Sequence, residues 1–333
     1  MTLDRGRRDA LKLILVGAAG AAVGPFVRRG PLGDAHAAPE AKGAGKPVVV
    51  RARRPGWTAA DGAVVPEVAF AALGAAVARA AGEKTPVDAM KKLVKPTDVV
   101  ALKVNCIAGK GLSPQPRLVQ QLAEWLIAAG IPARQVVIWD RTSRELKNAG
   151  FVETGGVRVV GTDDAYEDAP REWGAGGSCF AKLLVNEVTA LINVGVLKDH
   201  GMAGVSHGLK NWYGAIHNPN KYHDDGCNPY IPDLAASPVI AKKLRLTVVD
   251  GTIGQCNAGP GRSPKWAWPW GGALVSTDPV AIDALGWREI EARRKEVGLK
   301  SLTEEGRAPR YIAAAAKKGL GVADLERVEV VEA

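Results

Sequence analysis

Three consecutive stretches, apolar, amphipathic and apolar again, constrain this chain more than any other feature. Val99 to Val104 reads as a short strand, Arg117 to Ala129 carries Leu118, Leu122, Trp125 and Leu126 at helical spacing, and Val136 to Trp139 resumes as strand. Gly130 supplies the stop between helix and second strand. A strand, a helix and a strand at this spacing form a crossover unit, which sets the two strands parallel in one sheet with a right-handed connection.

The same theme runs through the rest of the chain. Val48 to Val50 is a brief strand, and Val65 to Ala81 is Ala-rich with helical spacing. Ala190 to Val196 and Leu246 to Val249 are nearly all apolar, as strands covered on both faces are. Ala273 to Ser276 is another strand, followed by a helix near Pro279 to Arg294 with Asp278 as N-cap and Pro279 at its first position. Arg327 to Val331 closes the chain as a last strand. The fold class is therefore α/β: a mostly parallel sheet with helices on both faces and a long His- and Gly-rich insertion in the second half. Residues 48–333 make one large domain, in one or two lobes, and 38–47 is a linker of small and charged residues.

The first 37 residues read as a targeting segment and stand outside the fold. Arg7-Arg8 with Asp9-Ala10-Leu11-Lys12 fits a twin-arginine signal, the run Leu13 to Val27 is apolar, and Ala35-His36-Ala37 offers a small-x-small cleavage site. Gly and Ala dilute that run below the roughly 20 apolar residues of a spanning helix, so no stable membrane span is expected after processing. A periplasmic or extracellular location follows, with the twin-arginine translocase as the export partner. Removing this segment takes away six basic and three acidic side chains and brings the net charge from +9 to +6. That charge is scattered, without basic runs, which argues against nucleic acid as a partner and mildly favours small anions.

Cys106, Cys179, Cys227 and Cys256 include no CxxC pair, which argues against a ferredoxin-type cluster or a zinc ribbon built within this chain. Disulfides in an oxidising compartment and buried free thiols both remain open.

The histidines are the sharpest chemical signal. Beyond residue 37 there are four, His200, His207, His217 and His223, all within 24 residues. Imidazole titrates near neutrality and is the commonest metal ligand, so the cluster points to proton transfer or metal binding. With no HxH or HExxH spacing, a metal site made of His200, His217 and His223 would have to be assembled from loops and would need neutral imidazoles. Lys198 and His200 follow directly on a strand, at the carboxyl end where open α/β sheets hold ligands. The segment Gly204 to Gly214 then brings glycines that admit close backbone approach, together with His207, Lys210 and Asn211. Lys103 and Asn105 alternate onto one side of the Val99 strand, and a buried lysine there requires a partner. Asp250, Asp278 and Asp283 are the candidate acids, with N-capping the better role for Asp278. The tryptophan-rich stretch Trp266 to Trp270 reads as a loop packed on the domain.

Taken together, Val99 to Asn105, Leu191 to His200, Gly208 to Gly214, Val249 to Gly251 and Ser276 to Asp283 resemble the domain of unknown function family 362. Members of that family often carry attached iron-sulfur modules, so the resemblance implies a redox partner, although this chain lacks such a module. A more distant similarity is to lactate racemase-like proteins, which place a histidine ten residues before a lysine to hold a nickel-bearing cofactor, as His200 precedes Lys210 here. The combined expectation is an exported metal- or cofactor-dependent enzyme, with nickel or iron as the metal, acting on a small anionic substrate in a redox or racemase-like reaction. His200, His207, Lys103 and Lys210 would be catalytic, and Asn105, Lys198, Asn211 and Asp250 would bind the cofactor. The alternative is a periplasmic protein that binds a ligand or docks a redox partner without catalysis.

Overall fold

The computed structural model describes residues 45–333, so the expected signal segment, the expected cleavage site and most of the expected linker lie outside the described residues. Eight strands form the backbone of one sheet: β1 (Val48–Arg53), β2 (Val100–Lys103), β3 (Val136–Asp140), β4 (Arg158–Gly161), β5 (Ala190–His200), β6 (Leu244–Gln255), β7 (Gly272–Ser276) and β8 (Glu329–Glu332). Their order is β8-β1-β7-β6-β5-β2-β3-β4. Only β7 runs antiparallel to its neighbours β1 and β6, and the remaining pairs along this path are parallel.

Alternation along the strands divides the interior into two cores. Val100, Leu102, Ile138, Ile192 and Val248 face helices α1 (Pro66–Ala81), α2 (Pro86–Leu93) and α3 (Pro116–Ala128), against Leu73, Met90 and Leu122. Ala101, Trp139, Leu191 and Val249 face the other way, toward α4 (Pro279–Glu296) and α5 (Arg310–Lys317), against Leu285 and Ile312. The expected arrangement of a mostly parallel sheet with helices on both faces is what the chain adopts.

Two strands run further than hydropathy alone indicates. β5 continues to His200 because Asp199 and His200 pair with Val205 and Gly204, so Lys198 and His200 belong to the strand itself. β6 reaches Gln255, where Ala267 and Trp268 pair against it, and Trp268 and Trp270 lie over Gly254 and Gly251 as a packed loop. Strand β4, helix α2 and the hairpin Arg171–Trp173 with Gly176–Ser178 are short, at most eight residues each, and were not expected. All four cysteines are unpaired.

Strands β5, β2 and β3 end at one edge of the sheet. The chain leaves β2 toward β3, whereas it leaves β5 toward β6, so the connections diverge between β2 and β5. This switch point is where an open α/β sheet leaves a crevice beyond its carboxyl ends.

Asp278 caps α4 by accepting from the Val280 and Ala281 amides at 2.8 Å, and its second oxygen accepts from the Val322 amide at 3.0 Å. Asp278→Ala removes that cap, and chemical unfolding is expected to show a loss of about 1–2 kcal/mol with the fold retained.

Candidate functional site

A cavity of about 500 Å³ opens at this switch point. Lys103 and Asn105 from the end of β2, Asp140 from the end of β3, His200 from the end of β5, and Lys210, Asn211 and His223 from the insertion all line it.

Beneath it lies a buried polar network. Lys103 Nζ donates to the Asp140 carboxylate at 2.7 Å, to the Val104 carbonyl at 2.7 Å and to Asn211 Oδ1 at 3.3 Å. Asn211 Nδ2 donates to the Lys103 carbonyl and to Asn193 Oδ1, whose own amide donates to the Gly208 carbonyl. The other Asp140 oxygen accepts from the Cys106 amide at 2.6 Å. Asp283, in α4, accepts from the Gly208 and Leu209 amides. The Gly208–Gly214 segment is thereby tied to both the sheet and a helix, and a Cβ on Gly214 would stand 2.7 Å from Lys103 Nζ.

Lys103 therefore does not hold an anion, as its three protons are engaged within the protein. Its acid is Asp140, not Asp250, Asp278 or Asp283. Asp250 lies away from the cavity, accepting from the Gln115 and Thr252 amides at 2.7 Å, so it stabilises a loop and does not bind a cofactor there. Asn211 likewise has its amide fully engaged and serves the frame.

The histidines separate. His200 Nδ1 accepts from the Met202 amide at 3.2 Å and the Ala203 amide at 3.1 Å. Because amides only donate, the proton of the neutral ring sits on Nε2. Burial, with Lys210 and His223 nearby, pushes His200 down to about 2, so it remains a neutral Nε2–H donor. His223 has the opposite tautomer: Nδ1 donates to the Asn220 carbonyl at 3.1 Å, and Nε2 lies 3.0 Å from Lys210 Nζ as an acceptor. The two rings stack at 5.6 Å between centroids.

His207 and His217 lie elsewhere. His207 is fully buried outside the cavity, with its ring packed against Gly286 in α4, and burial holds it neutral, at about 3. His217 is exposed and edges onto the Tyr166 ring. Chain proximity placed them together, but the turns of the insertion aim successive side chains in different directions.

These donors do not fit the expected nickel or iron site. His200 has its lone pair engaged by backbone amides, the His223 lone pair faces Lys210, and His217 is outside the cavity. Among the described residues no three His, Cys, Asp or Glu side chains gather as metal ligands.

Lys198 and Lys210 remain. Lys198 is wholly buried and donates to Asn105 Oδ1 at 3.0 Å, which turns the Asn105 Nδ2 group away from that contact and leaves it free to donate. Burial lowers Lys198 to about 8 despite the nearby Asp140. Lys210 Nζ sits 3.6 Å over the Tyr213 ring, and burial foremost, with Lys198 adding to it, lowers it to about 7. Neither lysine has a carboxylate partner among the described residues, whereas Arg141, also in the wall, is paired with Glu145. Sequence reasoning missed Asp140, Arg141 and Glu145. Asp140 had a usable signal, since it ends a strand parallel to the one that ends in Lys103.

Fold and site together define an open α/β protein whose switch-point crevice presents free donors and one lysine, Lys210, without a carboxylate partner, with Lys198 buried against Asn105. The chain matches the family described as Domain of unknown function (DUF362) over residues 100–288, more than half of its length, and belongs to that family. That span includes the whole buried network and every lysine and histidine of the site. No curated protein and no solved structure matches the chain.

Removing one partner of a buried ion pair strands the other. Asp140→Asn is expected to cost about 3–5 kcal/mol in urea unfolding, and adding Lys103→Met to that variant should recover part of the loss.

Proposed function

We propose that the cavity binds a small organic anion and moves a proton on it, in a protein exported by the twin-arginine route. The observation that carries this reading is the set of donors in the wall: Asn105 Nδ2, His200 Nε2–H and the Lys210 Nζ protons not directed at His223, whereas the buried carboxylates of Asp140 and Glu145 are already engaged and Asp224 adds one further carboxylate to the lining. A carboxylate or similar anion fits such a wall. Asn105 and His200 contact it directly, and Lys198 is a positioning residue that orients Asn105 and adds positive charge from behind.

Lys210 is the acid–base group. An amine lowered to about 7 exists in both protonation states at neutral pH, the condition for general catalysis. The racemase- or isomerase-like class fits this better than redox chemistry, because proton transfer at a carbon beside the bound anion needs no electron carrier. His223 Nε2, at 3.0 Å, fixes the direction of one Lys210 proton.

The two steps carry opposite pH dependence. Binding gains from charged lysine, so affinity is greatest below about pH 7 and falls as pH rises through the Lys210 and Lys198 values. Exchange at saturating ligand requires the uncharged amine and rises with pH through the Lys210 value of the complex, which the bound anion raises above that of the free protein. Incubation with small organic acids in deuterated water, followed by NMR, is expected to show deuterium entering the carbon next to the carboxylate. Lys210→Met should abolish that exchange while the protein still folds. Binding without exchange in the wild type would leave a ligand-binding protein and overturn the catalytic reading.

A further inference from the structure

Two of the four exposed large apolar side chains among the described residues stand in the wall of this cavity: Ile107, 49% exposed, and Met202, 53% exposed. Each lies two residues beyond a donor, Ile107 after Asn105 and Met202 after His200. The short loops that bear them are fixed at their bases. The Cys106 amide is bound to Asp140, and the Met202 amide is bound to the His200 ring. Pro219 and Pro260 also line the cavity, and the loop leading to Pro260 is anchored by the Gly259 amide on Asp199 at 2.8 Å. Polar floor and apolar rim are therefore built from the same pieces of chain and held in fixed relation.

A half-exposed isoleucine and methionine in the wall of the same charged cavity offer apolar area whose burial by a ligand's hydrocarbon portion would be favourable. The volume, about 500 Å³, lies in the range that takes a molecule well beyond an acetate in size. Resting on the anion-binding reading, we infer that the ligand is an amphipathic organic acid. Its anionic end meets Asn105, His200 and Lys210, and its hydrocarbon portion extends outward over Ile107 and Met202.

Calorimetric titration with acetate, butanoate and hexanoate tests this in the full chain. Affinity is expected to rise from acetate to hexanoate, by up to about fourfold for each methylene that is buried. In the double variant Ile107→Ser with Met202→Ser, whose positions are half-exposed and outside both cores, the hexanoate-to-acetate ratio should fall toward one. Equal affinity for all three acids in the wild type, or a ratio that survives the double substitution, would overturn the inference and leave the rim to a protein partner. Failure of all three acids to bind would instead remove the anion-binding reading on which it rests.

Discussion

The structure depends most on a lysine buried with its acid between two parallel strands. Lys103 and Asp140 sit at the ends of β2 and β3, with Lys103 paired in register with Trp139, so the carboxylate arrives one residue beyond it. Removing both charges from water is costly, and the attraction between them offsets this only when every remaining proton and lone pair finds a partner. Here the three lysine protons and both carboxylate oxygens each find one: Asn211, the Val104 carbonyl and the Cys106 amide complete the set. The consequence is positional. Asn211 cannot reach Lys103 unless the Gly208–Gly214 segment lies across the strand ends, and Asp283 holds that segment from the opposite side. The pair contributes a specific geometry more than it contributes net stability.

From that geometry the character of the cavity follows. Engaging Lys103 internally leaves Lys198 and Lys210 as the cations without carboxylates, and burial destabilises their charge. The histidines complement them by opposite hydrogen bonding. His200 is a donor because backbone amides occupy its Nδ1, and His223 is an acceptor because the Asn220 carbonyl takes its Nδ1 proton. Two stacked rings of the same residue type thus perform different work, set by main-chain groups that have no sequence signature.

Much of the fold was legible because the sheet is buried on both faces and its strands read as continuous apolar runs. The side-by-side placement of Lys103 and Asn105 followed from strand alternation, and the placement of Lys198 and His200 from the rule that such sheets bind at carboxyl ends. What could not be read was pairing across the chain. Asp140 becomes the partner of Lys103 only through strand register, and Asp250, equally plausible by position, instead receives the Gln115 and Thr252 amides. The histidine cluster misled for the same reason. His207 and His217 are close to His200 along the polypeptide, but a turn-rich insertion has no fixed period, and they end in a core and on the surface respectively. The segment read as an export signal lies outside the described residues and gains nothing from the structure.

The account stands on two lysines whose charge is destabilised by burial, Lys210 in the cavity wall and Lys198 against the Asn105 side chain that lines it. Carbon-13 NMR of the lysine side-chain methylenes, titrated against pH in the intact protein and assigned by Lys198→Met and Lys210→Met, measures this directly. Midpoints near 7 for Lys210 and near 8 for Lys198 are predicted. Midpoints for both that coincide with an ordinary exposed lysine, near about 10.4, would contradict it.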